Sequence, residues 1–396
     1  MPAEPSILFI GHGAERSGPP VYLRSLQGWL RGPDGPSVEF STVLVRGGAL
    51  LEDFRALGEV RVLDDRWTAP RVAQAAVGRL RDDRAYDRIR DLRYRARLRN
   101  LPPHDLVYVN SASAGCLHVA QSVVRRGTRL VTHVHELNVG LGYHLTDDER
   151  AFLFGRTDHF LAVSGAVRDE LVERHGVPPA KITMAPGFVD TTATVSPERV
   201  EALRARLAVP SGAPVVVASG MTDWRKAPDL FLRVAWEQRR LAPALDAHYL
   251  WVGGDRSGPN WWPLDHDRRH LGLEGRVHFL GVQASPRDAF AAADVFALTA
   301  REDAYPLACL EAGALAVPCV SFDNGGLPEL LRACDGGVVV PYGDTAALAQ
   351  AVVDLLGDEP ARAAMGSALA DAVRSRHEVT VAAPSLWERL RDLGRD

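Results

Sequence analysis

Short apolar runs alternate with helix-length segments along almost the whole chain, and each run predicts a strand. Strands that alternate with helices form parallel sheets whose two faces are covered by those helices. Six runs precede a break in the pattern and six follow it, so the sequence predicts an α/β protein with two Rossmann-like domains. The predicted strands are Ile7–Ile10, Val38–Val45, Val60–Leu63, Leu106–Val109, Leu130–Val134, Phe160–Val163, Val215–Ala218, Tyr249–Val252, Val277–Leu280, Val295–Leu298, Cys319–Phe322 and Val338–Val340.

The break in the pattern lies between residues 186 and 197, in a polar stretch that contains Pro186, Gly187 and Pro197. Pro and Gly in such a stretch are typical of a linker. A chain of 396 residues is also long enough for two domains. We therefore predict a first domain over residues 1–187 and a second over residues 188–378, followed by a C-terminal helix in residues 379–396.

Composition and charge narrow the class of protein. The chain is 46% hydrophobic and 24% charged, as in an ordinary soluble globular protein, and its formal net charge of −4 argues against a nucleic-acid partner. Its four scattered cysteines predict neither a zinc site nor a disulfide framework. The N-terminus lacks a signal-peptide pattern, and no run approaches the roughly 20 apolar residues of a membrane span. These features predict a cytoplasmic protein and leave peripheral membrane contact and oligomeric state open.

Residues 298–331 carry the most specific chemical pattern, in the order strand, acidic loop, helix and strand. Asp303 lies in the loop after a predicted strand, and Glu311 lies eight positions later, about two turns into the next helix. The N-terminus of a helix offers unpaired N–H groups and a positive dipole end, which suit a phosphate. Two carboxylates beside such a terminus suit a ligand with both hydroxyls and phosphates, such as a nucleotide sugar.

This segment resembles the E-x7-E motif of the retaining glycosyltransferases of family 4, which have the GT-B fold. The resemblance rests on Asp303, Glu311-Ala312, Pro318-Cys319-Val320 and Gly325–Glu329. Asp303 replaces the first Glu of the family pattern, and Pro306 stands where Gly is common. The resemblance implies a metal-independent transfer, with retention, of a sugar from a nucleoside diphosphate donor to an acceptor hydroxyl. It implies no cofactor beyond the donor substrate. It does not distinguish whether the nucleotide of that donor is UDP or GDP.

The resemblance assigns donor-binding roles around the same loop. It implies that Glu311 binds the ribose hydroxyls and that Asp303 binds hydroxyls of the transferred sugar. The backbone N–H groups of Ala304, Tyr305 and Leu307 are the donors available in the turn, since the proline among them lacks an N–H.

A second loop, after strand Val215–Ala218, supplies cations. Lys226 falls six positions after Gly220, where the family has its phosphate-binding Lys. The Arg that the family has directly after that Gly is Met221 here, and Arg225 matches a variant of the motif in which it takes over this charge. A transfer without metal needs such cations, because negative charge builds on the departing phosphate.

Three further positions are predicted to contact the donor. Gly18 lies in a glycine-containing loop after the first strand, although Arg16 breaks the dinucleotide fingerprint there, and a plain tight turn is the competing interpretation. Gly253 follows strand Tyr249–Val252 on the nucleotide side. Val282 follows strand Val277–Leu280, where the family holds the base through backbone groups.

Two histidines end a strand in the first half. His133 and His135 point the same way, because side chains alternate along a strand. His135 matches the position at which the family has a His near the anomeric centre, whereas His133 is interpreted as a core histidine with satisfied hydrogen bonds. No third ligand follows at metal spacing, so no metal site is predicted. The D-x-D triplet Asp265–Asp267 lacks a preceding strand and is interpreted as surface.

Residues 79–99 are rich in arginine, with aspartates interspersed. We interpret them as a solvated helix with pairs such as Asp91–Arg95, while the sharper alternative is a basic surface for anionic lipid or a phosphorylated acceptor.

The resemblance implies that the first domain binds the acceptor, that the second binds the donor, that the active cleft lies between them, and that the C-terminal helix returns to the first domain. The acceptor is left open among a glycan, a lipid-linked saccharide and a small natural product. A nucleotide-sugar epimerase of GT-B shape and a non-catalytic sugar-nucleotide-binding protein are the alternative functions.

Overall fold

The structure is a computed structural model that describes residues 4–36, 38–64 and 92–395. The chain divides into two compact units. The first contains the described residues up to Pro186 together with those from Ala382 onward, and the second is Gly187–Val381. The predicted boundaries, after residues 187 and 378, lie close to these positions. The chain therefore passes from one unit to the other twice.

The first unit is built on a seven-stranded parallel sheet with the order β3-β2-β1-β4-β5-β6-β7. Its strands are β1 Ile7–Gly11, β2 Phe40–Arg46, β3 Glu59–Asp64, β4 Leu106–Val109, β5 Arg129–Val134, β6 His159–Ala162 and β7 Ile182–Met184. Its helical segments are Gly18–Arg31, Leu51–Leu57, residues 92–98, Ala114–Val123, Asn138–His144, Asp147–Arg156, Gly165–Asp169, Glu170–Arg174 in the π form, and Pro179–Lys181 in the 3-10 form.

The second unit is built on a six-stranded parallel sheet with the order β10-β9-β8-β11-β12-β13. Its strands are β8 Val215–Ser219, β9 His248–Val252, β10 Val277–Gly281, β11 Val295–Leu298, β12 Cys319–Phe322 and β13 Gly337–Val340. Its helices are Pro197–Arg206, Pro228–Leu241, Trp261–His270, Arg287–Ala291, Leu307–Ala314, Leu327–Cys334, Thr345–Gly357 and Glu359–Arg376.

Both sheets are covered by helices, and this burial explains the apolar runs in the sequence. Every residue of β1, β4, β9 and β11 is buried. The twelve predicted strands are all present, with ends that differ by no more than two residues. Sequence reasoning missed β7, a short and only half-buried strand at the edge of the first sheet.

The last helix, Val379–Arg395, packs into the first unit. Its buried face includes Trp387 and Leu390. Arg389 lies 3.3 Å from Nε2 of His159 in β6, and Gly394 packs against Pro5. Within the described residues, no helix is both long enough and apolar enough for a membrane span.

Candidate functional site

The order of strands in the second unit reverses between β8 and β11, which are neighbours in its sheet. In parallel α/β sheets, ligands bind at the carboxyl ends of the strands where the order reverses. The loops that follow these two strands carry Lys226 and Asp303. The fold therefore brings together the two sequence motifs on which the predicted donor site depends.

The side chains of Lys226 and Asp303 form an ion pair between Nζ and Oδ2. Both are largely buried, with 16% and 10% of their side-chain surfaces exposed. The Lys226 backbone N–H donates to Oδ1 of Asp223 at 2.9 Å, which fixes the turn in front of the pair. A largely buried cation that pairs with one carboxylate can exchange that partner for a phosphate, because both are anions of suitable geometry.

The backbone around Asp303 is held from two sides. The N–H groups of Arg301 and Glu302 donate to the carbonyl of Arg225 at 2.8 and 3.3 Å. The side-chain amide of Asn324 donates to the carbonyls of Ala300 and Arg301 at 3.2 and 2.7 Å. These hydrogen bonds connect the loops after β8, β11 and β12, and together they hold the backbone on both sides of Asp303.

At Gly325 the backbone of the loop after β12 passes very close to the backbone of Asp303. The φ of Gly325 is +66°, and a Cβ there would overlap the carbonyl oxygen of Asp303. Only glycine fits both the left-handed conformation and the narrow space. The Gly-Gly pair of the motif therefore positions Asp303 through the backbone.

Arg225 and Arg301 have different environments. Arg301 forms a bidentate ion pair with Asp229 and also donates to the carbonyl of Trp224 at 3.0 Å. Arg225 reaches only the Glu302 carbonyl, at 3.5 Å, and forms no ion pair among the described residues. Among the residues that the structure describes, no carboxylate neutralises Arg225, one residue before Lys226 in the same loop.

Glu311 lies on the helix Leu307–Ala314, and its position corrects one prediction. It is the fifth residue of that helix, so it lies about one turn from the helix start and not two. Burial raises the pKa of its carboxyl group, and nearby Arg287 opposes this shift. The carboxylate is thus held in a poorly solvated place, where hydroxyl donors from a ligand would stabilise it.

The turn before this helix offers hydrogen-bond donors. Within the described part of the chain, the backbone N–H groups of Ala304, Tyr305 and Leu307 donate to no protein acceptor. Pro306 directly precedes the first helical residue. Free N–H groups at a helix N-terminus, next to Lys226, form an environment suited to an anion.

Two glycines permit close packing around Lys226, one in its own loop and one in the loop after β9. A Cβ on Gly220 would lie 2.8 Å from Cγ of Lys226, and the Gly220 carbonyl accepts from the indole N–H of Trp251 at 3.1 Å. Gly253 has a φ of +106°, and a Cβ there would lie 2.6 Å from the Gly220 carbonyl oxygen. Val282, by contrast, is exposed and follows β10, two strands away from β8.

The two remaining predicted site residues, His135 and Gly18, lie in the first unit. Gly18 opens the helix Gly18–Arg31, and no atom lies within 4 Å of where its Cβ would be. His133 lies in β5 and His135 directly follows that strand, and their rings lie 4.2 Å apart, which confirms that the two side chains point the same way.

His133 has the satisfied environment that we predicted. Its Nδ1 lies 2.6 Å from the hydroxyl of Tyr108 and its Nε2 lies 2.9 Å from the carbonyl of Ala185. Nε2 of His135 is buried and has no partner among the described residues. Burial, followed by the neighbouring His133 and His12, lowers the pKa of His135 well below its ordinary value. His135 is therefore neutral and has an unused ring nitrogen.

The prediction that the D-x-D triplet lies on the surface is wrong for Asp265. Asp265 is buried on the helix Trp261–His270 and pairs with Arg268 and Arg269, while His266 and Asp267 are exposed. The intrahelical ion pairs account for its burial. Across the described ranges, no group of three or more His, Cys, Asp or Glu side chains could hold a metal ion.

Most of the arginine-rich stretch, including the predicted pair Asp91–Arg95 and the arginines before it, involves positions outside the described residues. Of the arginines that the structure describes, Arg97 donates to the Leu63 carbonyl at 3.0 Å.

Sequence reasoning missed Arg287, Arg301 and Asn324, which hold the site through long-range contacts. Arg301 and Asn324 lie within the recognised segment, so their place in the motif was the available signal. Arg287 donates to the carbonyls of Asp190 and Ala193, and nothing in its local sequence indicates this.

Two families of known proteins match this chain. Residues 213–358 match the family described as glycosyl transferases group 1, and residues 48–193 match the one described as glycosyltransferase family 4.

Curated relatives are glycosyltransferases and a synthase. The D-inositol 3-phosphate glycosyltransferase of Kineococcus radiotolerans is 34% identical over 226 residues, which cover 53% of this chain and 52% of that protein. N-acetyl-alpha-D-glucosaminyl L-malate synthase of Bacillus anthracis is 26% identical over 298 residues, which cover 73% of this chain and 76% of that protein. The chain spans about half the length of the inositol-phosphate glycosyltransferases that it matches.

Solved structures share the fold over nearly the whole chain. Anabaena HepE in complex with UDP and glucose has a TM-score of 0.79 at 19% identity, covering 98% of this chain and 99% of that one. Sucrose-phosphate synthase from Thermosynechococcus elongatus has a TM-score of 0.75 at 18% identity, with coverage of 98% and 99%. The predicted fold class, two Rossmann-like α/β domains of the GT-B type, is thereby confirmed.

Proposed function

Because the chain belongs to the family 4 glycosyltransferases of group 1, we propose that it transfers a sugar from a nucleoside diphosphate donor to an acceptor hydroxyl. The observation that carries the proposal is the Lys226–Asp303 ion pair at the switch point of the second sheet. Beside it lie the free N–H groups of the turn before Leu307 and the buried carboxyl group of Glu311. Lys226 and the N–H groups suit a diphosphate, Asp303 suits the hydroxyls of a sugar, and Glu311 suits those of a ribose.

The residues divide the work according to their chemistry. When a donor binds, a phosphate takes the place of Asp303 at the Lys226 ammonium, and Arg225 and the turn N–H groups add further positive charge. Asp303, released from that pair, accepts hydrogen bonds from hydroxyls of the sugar. The Glu311 carboxylate accepts hydrogen bonds from the ribose hydroxyls, which replace solvent in its buried site.

In the proposed reaction, the bond between the anomeric carbon and the donor phosphate oxygen breaks, and a bond from that carbon to the acceptor oxygen forms. The acceptor proton passes to the departing phosphate oxygen, so attack occurs on the face from which the phosphate leaves and configuration is retained. Lys226 and Arg225 stabilise the charge that develops on the phosphate. His135, neutral and with a free ring nitrogen, is the residue that we assign to the sugar near the anomeric centre. No step requires a metal ion.

The experiment follows hydrolysis of donor sugars by water, since this requires no knowledge of the acceptor. UDP-glucose, GDP-mannose, ADP-glucose and dTDP-glucose are incubated with the protein in EDTA, and both released nucleoside diphosphate and the sugar anomer are measured by NMR. UDP-glucose comes first, because HepE, which shares this fold, has been crystallised with it. We expect one donor to release its nucleotide together with a sugar of unchanged anomeric configuration.

Lys226→Ala should lower that rate by roughly 100-fold or more, the usual effect of removing a group that stabilises developing charge. Lys181, an exposed residue and the only other lysine of the chain, provides the matched control Lys181→Ala, which should leave the rate unchanged. Release of no nucleotide from any donor, or equal rates for the two variants, would contradict the proposal. An epimerised donor without nucleotide release would instead indicate an epimerase.

A further inference from the structure

Two short segments lie just inside the second unit at the places where the chain enters and leaves it. We call residues 187–191 the first crossing segment and residues 377–381 the second crossing segment. They run side by side: the Val189 N–H donates to the His377 carbonyl at 2.8 Å, and the Val379 N–H donates to the Val189 carbonyl at 3.0 Å. The Glu378 carboxylate also accepts from the Thr191 N–H at 2.6 Å. The two crossing segments therefore form one local structure.

The imidazole of His377 links this structure to the predicted donor loop. Its Nδ1 lies 2.8 Å from the Gly187 carbonyl oxygen, and its Nε2 lies 3.1 Å from the hydroxyl of Tyr305. A carbonyl only accepts, so Nδ1 carries the hydrogen. Burial lowers the pKa of His377, which keeps the ring neutral, so Nε2 accepts from the Tyr305 hydroxyl. The direction of both hydrogen bonds is thus fixed.

Packing at Gly187 gives an independent link to the same loop. A Cβ on this glycine would lie 2.5 Å from Cδ2 of Leu307 and 3.2 Å from Cδ1 of Tyr305. Leu307 opens the helix that carries Glu311. The first crossing segment therefore lies directly against the turn whose N–H groups we assign to the donor.

Arg287 connects the continuation of the first crossing segment to the ribose side of the site. Its guanidinium donates to the carbonyls of Asp190 and Ala193, the latter at 3.0 Å. The same guanidinium lies close enough to Glu311 to oppose the effect of burial on that carboxyl group. Residues 187–193 are thus linked to the Asp303–Glu311 segment directly at Tyr305 and Leu307 and through Arg287 at Glu311.

We propose that Tyr305 and His377 are positioning residues that couple donor binding at the Asp303–Glu311 segment to the conformation of both crossing segments. The inference rests on the proposed function, since it takes that segment as the donor site. A nucleotide that orders the turn before Leu307 fixes the Tyr305 ring, and through His377 it fixes the backbone at Gly187 and Val189. Coupling of this kind is reciprocal, so the conformation of the crossing segments sets the affinity for the nucleotide in return.

The test is amide hydrogen exchange on the full-length protein, without nucleotide and with UDP, which is replaced by GDP, ADP or dTDP if one of these binds instead. Exchange reports local opening of hydrogen-bonded backbone. Tyr305→Phe removes only the hydroxyl and keeps the ring that packs on Gly187. Without nucleotide, we expect this variant to exchange the Val189 and Val379 amides about fivefold faster, the effect of losing one hydrogen bond. Tyr342→Phe, at an exposed tyrosine of the same unit, is the matched control and should change neither amide.

In the wild type, nucleotide should slow exchange of both crossing segments, and in Tyr305→Phe this protection should fall to less than half. His377→Asn keeps a donor toward Gly187 but loses the acceptor for Tyr305. The double variant Tyr305→Phe/His377→Asn should therefore exchange the Val189 and Val379 amides no faster than either single variant. If the two substitutions acted independently, their effects on exchange would add.

Protection of the Asp303–Glu311 segment without any change in the crossing segments would overturn the coupling and leave the proposed function intact. Unchanged Val189 and Val379 exchange in nucleotide-free Tyr305→Phe would also overturn it. If no nucleotide protects any part of the second unit, the proposed function fails, and the coupling fails with it.

Discussion

The ion pair between Lys226 and Asp303 explains how the fold accommodates two largely buried charges. An isolated buried ammonium or carboxylate would be costly, because burial removes its hydration. In the ion pair, each of the two charges is the partner of the other. In the proposed donor complex, a phosphate pairs with Lys226 and sugar hydroxyls donate hydrogen bonds to Asp303, so each charge again has a partner.

Glu311 differs from this pair, because its carboxyl group forms no ion pair with any residue that the structure describes, and burial raises its pKa. A raised pKa favours the folded protein at acid pH, where the group is neutral, and this contribution is lost as the pH rises through the folded-state pKa. We expect Glu311→Gln to be as stable as the wild type near pH 4 and more stable near pH 8, although it binds nucleotide less tightly.

Thermal unfolding of both proteins across this pH range measures the difference. Glu201→Gln, at an exposed position, is the control and should show no pH-dependent gain. A Glu311→Gln variant that loses stability at neutral pH would show that the carboxylate has a stabilising partner and would contradict our description of the site.

At the residue scale, local patterns in the sequence indicate the candidate site residues but not the residues that hold the surrounding loops. Asp303, Lys226 and Glu311 are predicted site residues because their spacing matches a motif. The bond from Tyr305 to His377 joins positions 72 residues apart, and no local pattern indicates it. The prediction of a surface position for Asp265 is wrong because the local sequence does not show that this side of the helix is buried.

At the element scale, the site depends on three loops that support one another. The loop after β12 reaches the loop after β11 through Asn324 and Gly325. The loop after β8 reaches it through the Arg225 carbonyl. Most of the elements themselves were predictable, because strands buried on both faces give unbroken apolar runs. The half-exposed edge strand β7 lacked such a run and was missed.

Gly325→Ala tests whether this support positions Asp303. Gly325 and Gly343 both have left-handed backbone conformations, with φ of +66° and +78°, but only the Cβ at Gly325 would overlap the Asp303 carbonyl, while Gly343 has no neighbour within 4 Å. Each substitution should cost about 1–2 kcal/mol of stability for the conformation alone. Gly325→Ala should lose further stability and weaken nucleotide binding, whereas Gly343→Ala should bind nucleotide normally.

Chemical unfolding and nucleotide titration of the two variants separate the effects. Equal losses of stability with unchanged nucleotide binding would show that the loop after β12 does not hold Asp303 in place.

At the scale of the whole molecule, both units are parallel α/β structures, and the similarity to GT-B structures extends over nearly the full chain. The alternation of strands and helices was sufficient to predict this class. The nucleotide base and the acceptor were not predictable, because the resemblance assigns the base to backbone groups around Val282 and the acceptor to the first domain without naming its residues. The central claim therefore concerns the donor site in the second unit.

Nucleotide binding measured by thermal shift tests that claim most directly. The wild type, Lys226→Ala, Glu311→Ala and the control Lys181→Ala are each heated with UDP, GDP, ADP and dTDP. A nucleotide at 100 times its dissociation constant should stabilise the wild type by about 2.7 kcal/mol. We expect one nucleotide to stabilise the wild type and Lys181→Ala and to have little effect on the other two variants. Stabilisation of all four proteins alike, or of none, would contradict the assignment of the donor site.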